Sequence, residues 1–189
     1  MNNLILMFAT LLSLVCFSAK LSATIVVKDD LGREVQLEKP AQRIVSLAPH
    51  ITENLFSVGA GASLVGVVDY SDFPEAAKSV PIVGSYKQFN LEAIIASDPD
   101  LIIAWHSGNG MNRIQQLVDL GFNVYIVDPK SLDELAAGFL RYGLLTGNER
   151  RGKDLADSFR QTLRELQRTY GERSRVRAFY QVWNEPLQT

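Results

Sequence analysis

The strongest constraint on the fold of this chain is the stretch of residues 90–105, which reads NLEAIIASDPDLIIAW. Asn90 can cap the free amides of a first helical turn, Glu92 suits the positive end of a helix dipole, and Pro99 ends the helix at residue 98. Residues 101–105 follow as an apolar run without polar alternation. Such a run is typical of a strand that is buried on both faces, as in a parallel sheet flanked by helices.

Strands and helices alternate along most of the chain. Apolar runs predict a hairpin at the start and short strands after it, at residues 24–28, 34–37, 44–47, 64–68 and 124–127, with a weaker repeat at 81–83. Helical spacing, caps and glycine stops predict helices at residues 52–58, 111–120 and 132–145. Ser131 caps the last of these, and Glu134 stands at the matching capping-box position. The alternation indicates an α/β layered domain with a largely parallel sheet.

Loops that leave the carboxyl ends of parallel strands are where an open α/β sheet binds its ligand. Residues 48–50 are predicted as a turn and residues 106–110 as a loop of this kind. Tyr70, Tyr86 and Trp105 stand just after apolar runs or at the mouths of such loops. One ring alone would be partly buried core in most proteins, but three together favour a ligand platform, because flat rings offer area and a polar handle at little entropic cost.

A long helix is predicted over residues 149–170. Its apolar residues recur at spacings of three or four, which places them in one stripe that faces a core: Leu155, Phe159, Leu163, Leu166 and Tyr170. The basic residues of the other faces are interspersed with acids, as on a solvated surface. A strand is predicted at residues 176–182. Because it follows a finished α/β unit and a long helix, we expect it to open a second unit that a truncated chain contains only in part.

The N-terminus has the pattern of an export signal. Residues 4–17 are almost unbroken apolar sequence, too short to span a bilayer comfortably, and small residues follow them. The pattern predicts a cleaved signal peptide over residues 1–23, with Ala19 and Ala23 as cleavage positions. An uncleaved anchor is the alternative, since the first three residues lack the usual positive charge. The single cysteine, Cys16, lies inside the leader, so the predicted mature chain has neither a disulfide nor a thiol nucleophile.

Composition and motifs exclude several function classes. Lys and Arg number 19 against 21 Asp and Glu, which gives a formal net charge of −2. This balance argues against a nucleic-acid partner, because such a partner usually demands a basic face. The sequence contains no G-x-G-x-x-G, phosphate loop, G-x-S-x-G elbow or H-E-x-x-H motif. The pattern therefore favours a binding protein over an enzyme.

The polar residues raise two chemical alternatives, a metal site and a hydrolase. His50 and His106 both follow strands, but a metal site needs three or four ligands and the other candidates are scattered carboxylates, so no metal site is predicted. A hydrolase could use Asp98, Asp100 and His106. Asp-Pro-Asp is ordinary turn chemistry, however, and the sequence shows no nucleophile beside a base.

Four segments carry a family resemblance: residues 29–33, 43–49, 65–74 and 90–105. With them the chain resembles the periplasmic binding proteins for ferric siderophores, haem and cobalamin, and DDLGR at residues 29–33 is shared across that family. YSDFP at residues 70–74 and the Ala-Trp pair at 104–105 resemble the family members that bind vitamin B12. The similarity extends over nearly the whole predicted mature chain.

The resemblance implies two α/β lobes that are joined by one long rigid helix and grip a ligand between them. Residues 24–147 would be the N-terminal lobe, 148–172 the linking helix and 173–189 the start of a truncated C-terminal lobe. The implied function is to capture cobalamin or a related corrinoid in the periplasm and deliver it to the membrane permease of an ABC importer. The full-length protein would be a monomer with no cofactor besides this ligand. A ferric siderophore or haem is the alternative ligand.

The resemblance also implies roles for single residues. Tyr70 and Trp105 fall on aromatic positions that line the cobalamin cleft, and Tyr86 stands where the family often has tryptophan. Glu92 falls on the first-lobe glutamate that docks onto arginines of the transporter's membrane subunit. A partner glutamate and the remaining ligand contacts would belong to the second lobe.

Overall fold

Parallel strands form the centre of the structure, which is a computed structural model that describes residues 24–181, 183–184 and 187–188. The predicted signal peptide, residues 1–23, lies outside the described residues. The strands are β1 (Ile25–Lys28), β2 (Glu34–Leu37), β3 (Ile44–Ser46), β4 (Leu64–Val67), β5 (Leu101–Trp105), β6 (Val124–Val127), β7 (Trp183–Asn184) and β8 (Leu187–Gln188). The α-helices are α1 (Pro49–Ser57), α2 (Leu91–Ala96), α3 (His106–Asn109), α4 (Met111–Asp119), α5 (Leu132–Thr146) and α6 (Glu149–Tyr170).

The central sheet has the strand order β4-β3-β5-β6, and every pair in it is parallel. β1 and β2 form a separate antiparallel hairpin. The weak repeat predicted at residues 81–83 adds a single parallel bridge between Ile82 and Val67 at the β4 edge. The predicted α/β class, parallel sheet and N-terminal hairpin are therefore confirmed.

Two apolar clusters cover the two faces of this sheet. On one face, Leu101 and Ile103 of β5 pack with buried residues of the hairpin, α1, α5 and α6. On the other face, Ile102 and Ala104 pack with buried residues of α2 and α4. All four strand residues are fully buried. This confirms that β5 is covered on both faces, and the removal of its apolar side chains from water stabilises the fold.

The predicted helix caps are present. The Asn90 side chain accepts a hydrogen bond from the backbone N–H of Ala93 at 3.0 Å, and the Ser131 side chain accepts one from that of Glu134 at 3.1 Å. The Glu134 carboxylate accepts a bond from the N–H of Lys130 at 2.6 Å, one residue before the position that a capping box predicts. These bonds satisfy amides that a helix start leaves unpaired.

Two predicted connections are helical instead. The turn predicted at residues 48–50 is wrong, because α1 begins at Pro49, whose fixed φ and missing N–H suit the first helical position. The loop predicted at residues 106–110 is also wrong, because residues 106–109 form the single-turn helix α3. Gly110 ends this turn at φ 77°, a conformation that favours glycine, and leads directly into α4.

The long helix α6 has the predicted bounds, but only its first half faces the core. Leu155 and Phe159 pack against the apolar cluster, whereas Leu166 and Tyr170 are 50% and 53% exposed. The prediction that the whole stripe faces a core is wrong, because α6 is longer than α5 and its last turns extend past the described elements beside it. Neither α6 nor any other helix within the described residues has the length and apolar character needed to cross a membrane.

The strand predicted at residues 176–182 is wrong over residues 176–181, which are exposed and form no regular secondary structure. Val182 lies outside the described residues. The two-residue strands β7 and β8 follow and pair with each other. A strand needs a neighbouring strand for its backbone hydrogen bonds, and none of the described strands pairs with residues 176–181.

Close backbone contact fixes α6 on α5. A Cβ atom at Gly152 would lie 2.5 Å from the carbonyl oxygen of Phe139 and 3.1 Å from the Cα atom of Gly143. We predict that Gly152→Val separates the two helices and lowers the free energy of unfolding by about 2 kcal/mol or more, as overpacking does. Urea denaturation followed by circular dichroism measures the change.

Gly138→Ala is the matched control within α5, because a Cβ atom at Gly138 meets only the Tyr142 ring, at 4.0 Å. It should raise the free energy of unfolding by about 0.5 to 1 kcal/mol, since alanine has the higher helix propensity. A Gly152→Val variant with the wild-type urea midpoint would contradict the contact between the two helix backbones.

Candidate ligand-binding site

Three aromatic rings meet where β5 ends, and we call His50, Tyr86 and Trp105 the aromatic platform. The Trp105 indole contacts both of the other rings. Its centroid is 5.1 Å from that of His50, edge to face at 89°, and 6.0 Å from that of Tyr86, tilted by 37°. Arrangements of this kind are favourable for aromatic pairs. The structure thus brings together two of the three predicted ring residues and adds His50, which the sequence analysis did not assign to the ligand.

Each ring of the aromatic platform comes from a different connection. His50 lies in the first turn of α1, directly after β3, and Trp105 is the last residue of β5. Tyr86 lies in a tight turn between Gly84 and Phe89, which form an antiparallel bridge. Because β3 and β5 are parallel neighbours, their carboxyl ends lie at the same edge of the sheet. This carboxyl edge is where open α/β sheets bind ligands.

The aromatic platform is uncharged at neutral pH. Burial lowers the pKa of His50 below its ordinary value of 6.5, because low-dielectric surroundings disfavour the imidazolium form. Lys87 places a cation beside the platform, with its Nζ 5.6 Å from the centroid of the Tyr86 ring. That distance suits a cation–π interaction. The surface therefore fits a large, flat ligand better than a small ion.

The backbone of α3 packs against the Trp105 indole. A Cβ atom at Gly108 would lie 1.9 Å from Cε3 of Trp105, closer than non-bonded atoms approach. Glycine at position 108 therefore allows the indole to occupy its place at the carboxyl edge.

Asn109 also belongs to this candidate site, although the sequence pattern did not predict it. Its Oδ1 accepts a hydrogen bond from the backbone N–H of Trp105 at 2.6 Å. Its Nδ2 donates to the carbonyl oxygens of Tyr86, at 2.7 Å, and Leu47, at 2.9 Å. Because Tyr86 is 23 and Leu47 is 62 positions away in the chain, no local sequence pattern identifies this role.

Tyr70 lies on the loop that leaves β4, which β3 separates from β5. It is 75% exposed, and among the ring contacts of residues 24–181 it makes none with the aromatic platform. Its φ of 64° lies in the left-handed region, which a bulky residue rarely adopts. The next residue, Ser71, is buried with its hydroxyl 3.3 Å from that of Thr52 in α1. This contact holds the loop while the Tyr70 side chain remains in solvent.

Glu92 is exposed in the first turn of α2, as predicted. Two backbone hydrogen bonds place this turn near the carboxyl edge. The N–H of Asp69 donates to the carbonyl of Gly84 at 2.9 Å, and the N–H of Asn90 donates to that of Val83 at 2.7 Å. The Glu92 carboxylate therefore lies on the surface beside the edge that carries the aromatic platform.

A polar cluster ties α3 to the end of β6. The Asp128 carboxylate accepts hydrogen bonds from the Ser107 hydroxyl at 2.7 and 2.9 Å, lies 3.2 Å from Nδ1 of His106, and forms an ion pair with Lys130. Burial raises the pKa of Asp128, but the hydrogen bonds from Lys130, Ser107 and His106 together outweigh burial and lower this pKa to about 2. The carboxylate is therefore charged at neutral pH and holds α3 in place.

The residues of the hydrolase alternative lie at opposite ends of β5. The Asp100 carboxylate precedes the strand and accepts hydrogen bonds from the N–H groups of Gln42 and Arg43, at 2.8 and 3.0 Å. His106 follows the strand, whose five residues span about 16 Å. The proposed catalytic grouping of Asp98, Asp100 and His106 is therefore wrong.

The polar cluster is not a catalytic triad either. Ser107 and His106 each contact Asp128 directly, whereas a Ser-His-Asp triad needs the histidine between the serine and the carboxylate. Within the part of the chain that the structure describes, no group of three or more His, Cys, Asp or Glu side chains is placed to hold a metal ion.

The fold and the site together define the class of protein. A parallel α/β sheet carries aromatic rings at its carboxyl edge, and the long helix α6 follows it in the chain. Residues 44–186 match the family described as periplasmic binding protein, and the chain belongs to this family. Its relatives are binding proteins rather than enzymes.

Among the periplasmic binding proteins, the chain matches relatives that are named vitamin B12-binding proteins. Over 150 residues the chain is 39% identical to the vitamin B12-binding protein of Vibrio cholerae, a match that covers 79% of this chain and 54% of that protein. Over 149 residues it is 36% identical to the vitamin B12-binding protein of Yersinia pestis, covering 79% of this chain and 53% of that protein. The chain spans about half the length of the curated relatives that it matches.

A solved structure agrees with these sequence matches. The crystal structure of the periplasmic vitamin B12 binding protein BtuF of Vibrio cholerae matches with a TM-score of 0.73 at 39% identity, over 78% of this chain and 58% of that chain. A periplasmic heme binding protein from Pseudomonas aeruginosa matches with a TM-score of 0.62 at 28% identity, over 68% of this chain and 46% of that chain. The predicted family and fold are confirmed, and the heme-binding protein is the less similar of the two.

The left-handed backbone of Tyr70 generates a stability prediction. We predict that Tyr70→Gly has a free energy of unfolding about 1 kcal/mol higher than Tyr70→Ala, because glycine adopts φ 64° without the clash that a Cβ atom causes. Both variants remove the same exposed ring, so their difference isolates the backbone. Urea denaturation measures it, and equal midpoints for the two variants would contradict strain at this position.

Proposed function

We propose that this protein is the substrate-binding component of an ABC importer, which captures cobalamin (vitamin B12) or a related corrinoid in the periplasm and delivers it to membrane permease subunits. The observation that carries the proposal is the uncharged aromatic platform at the carboxyl edge, where His50, Tyr86 and Trp105 lie in contact. Relatives of 36% and 39% identity that are named vitamin B12-binding proteins support the choice of ligand. The predicted signal peptide supports the location.

The physical fit is between flat rings and a large macrocycle. Aromatic side chains gain dispersion contacts and bury apolar area against such a ligand. The neutral imidazole of His50 adds ring area without a charge that would have to be desolvated. Binding of this kind involves no covalent step, so the role is capture and release.

A ferric siderophore or haem is the alternative ligand, and its anionic groups favour arginine partners. Two arginines of the described lobe are already engaged within it. Arg113 stacks 4.6 Å from the Phe89 ring centroid and donates to the Phe89 carbonyl at 2.8 Å, and Arg141 pairs with Asp30. Because the carboxyl edge presents aromatic rings more than guanidinium groups, a corrinoid is the better match.

Ligand binding and docking are assigned to different residues. Trp105 contacts the macrocycle from the end of β5, Tyr86 extends this surface, and Tyr70 reaches another part of the ligand from the loop after β4. Glu92 acts on the transporter, because its exposed carboxylate lies beside the ligand edge and suits a charge pair with an arginine of the permease.

The ligand assignment is tested by isothermal titration of the intact gene product with cyanocobalamin. We expect saturable heat at micromolar protein, with one ligand bound per protein. Haem and a ferric siderophore are titrated in parallel. If either of them binds and cyanocobalamin gives no heat, the corrinoid assignment is overturned; if none of the three binds, the proposed function is wrong.

The division of roles is tested in the same gene product. We predict that Tyr70→Ala and Trp105→Ala each weaken cyanocobalamin binding by about thirtyfold or more, which corresponds to about 2 kcal/mol for a contacting aromatic residue. Glu92→Ala should leave the affinity unchanged and reduce cobalamin uptake by cells, because only the docking charge is lost. Titration calorimetry measures affinity, and uptake of labelled cobalamin measures transport.

Leu120→Ala and Asp119→Ala are the matched controls, since both residues are exposed at the end of α4, which leads to the opposite edge of the sheet. Neither change should alter affinity or uptake. Normal ligand binding by the aromatic variants, or a loss of binding in Glu92→Ala as severe as theirs, would refute this division.

A further inference from the structure

A buried side chain joins the segments that carry the aromatic platform. Asn109 is 4% exposed, so it is shielded from a ligand at the carboxyl edge. Its three hydrogen bonds reach the main chain of Trp105, of Tyr86 and of Leu47. Leu47 lies between β3 and α1, three residues before His50. One carboxamide therefore connects the three segments from which the three rings project.

Only a carboxamide matches this set of partners. Asparagine offers an acceptor for the N–H of Trp105 and two donors for the two carbonyl oxygens. An aspartate carboxylate lacks the two N–H donors, and a leucine side chain has neither a donor nor an acceptor. Either replacement would leave buried backbone groups unpaired, and an unpaired buried group costs more than the net gain of an ordinary hydrogen bond.

The turn around Tyr86 depends on its hydrogen bond from Asn109 more than β5 depends on its own bond to Asn109. Trp105 is also held by the pairing of β5 with β6. The turn around Tyr86 has its own hydrogen bonds between Ser85 and Gln88, at 3.1 and 3.2 Å. Its first residue, Gly84, is tied to the loop after β4, because the N–H of Asp69 donates to the Gly84 carbonyl at 2.9 Å. The bond from Asn109 adds a link from Tyr86 itself to the end of β5, and this link sets the position of Tyr86 relative to Trp105.

We propose that Asn109 is the positioning residue of the ligand site, which fixes the spacing of Tyr86 and Trp105 before a ligand arrives. This inference rests on the proposed function, because it takes the rings to be the contacts of a corrinoid. Preorganised rings lose less conformational freedom on binding. The loss of Asn109 therefore weakens binding through the rings, and it changes the contact between the Tyr86 ring and the Trp105 indole even when no ligand is present.

The ligand-free test follows the indole Nε1–H resonance of Trp105 in the intact gene product, assigned by its disappearance in Trp105→Phe. Asn109→Leu should shift or broaden this resonance. Asn109→Ser is measured alongside, because it is small and polar and tests the same bonds if the leucine variant does not fold. Asn123→Ala is the matched control, since the Asn123 amide also donates to a backbone carbonyl, that of Asp100 at 3.2 Å, but at the opposite edge.

The binding test is a double-mutant cycle with cyanocobalamin. Asn109→Leu alone should weaken binding about tenfold, as expected when buried backbone groups lose their partners. In a Tyr86→Ala background the same change should weaken binding by about twofold or less, because coupled residues are not additive. Asn123→Ala should leave the affinity unchanged in both backgrounds.

Additive losses in the cycle would show that Asn109 does not act through Tyr86 and would overturn the proposal. Asn109 variants with a lower urea midpoint but an unchanged indole resonance and affinity would also overturn it, since they would show a purely structural role. If the wild-type protein does not bind cyanocobalamin, the proposed function fails, while the indole resonance still decides whether Asn109 positions the rings.

Discussion

The rest of this structure depends on the burial of β5 on both faces. Its residues Leu101, Ile102, Ile103 and Ala104 are fully buried, and they pack alternately into the two apolar clusters that cover the faces of the sheet. Hydrogen bonds to β3 on one side and β6 on the other fix the register. Because β5 has a paired strand on each side and an apolar cluster on each face, the position of its last residue, Trp105, is also fixed. The position of the indole is therefore a consequence of core packing.

Polar interactions between distant segments keep the carboxyl edge in shape. The Asp30 carboxylate of the N-terminal hairpin accepts a hydrogen bond from the N–H of Asp128 at 2.7 Å and pairs with Arg141 of α5. Asp128 in turn holds α3 through Ser107, and α3 carries Asn109. Charge-assisted hydrogen bonds in buried surroundings are among the stronger polar contacts. The hairpin, β6, α5 and α3 are thus joined around the site, which favours a preorganised binding surface.

In a protein of this architecture, the side chains at the carboxyl edge of the sheet determine which ligand binds, and the fold does not. A vitamin B12 binding protein and a heme binding protein share this architecture with the chain, at 39% and 28% identity. A shared fold does not determine what is bound. At the carboxyl edge of this chain the half-buried rings are His50, Tyr86 and Trp105. Arg113 and Arg141 are engaged by other groups within the described residues.

The sequence by itself determined the local elements: the cap at Asn90, the buried strand β5 and the bounds of α6 all follow from side-chain chemistry and the spacing of neighbours. Only the tertiary structure decided that His50 packs against Trp105 and that Asn109 bonds a carbonyl 62 positions away. It also decided that Leu166 is exposed and that residues 176–181 form no strand. Periodicity shows which face of an element is apolar, but it does not show whether another element covers that face. Partners that lie far apart in the chain leave no local pattern, because folding alone brings them together.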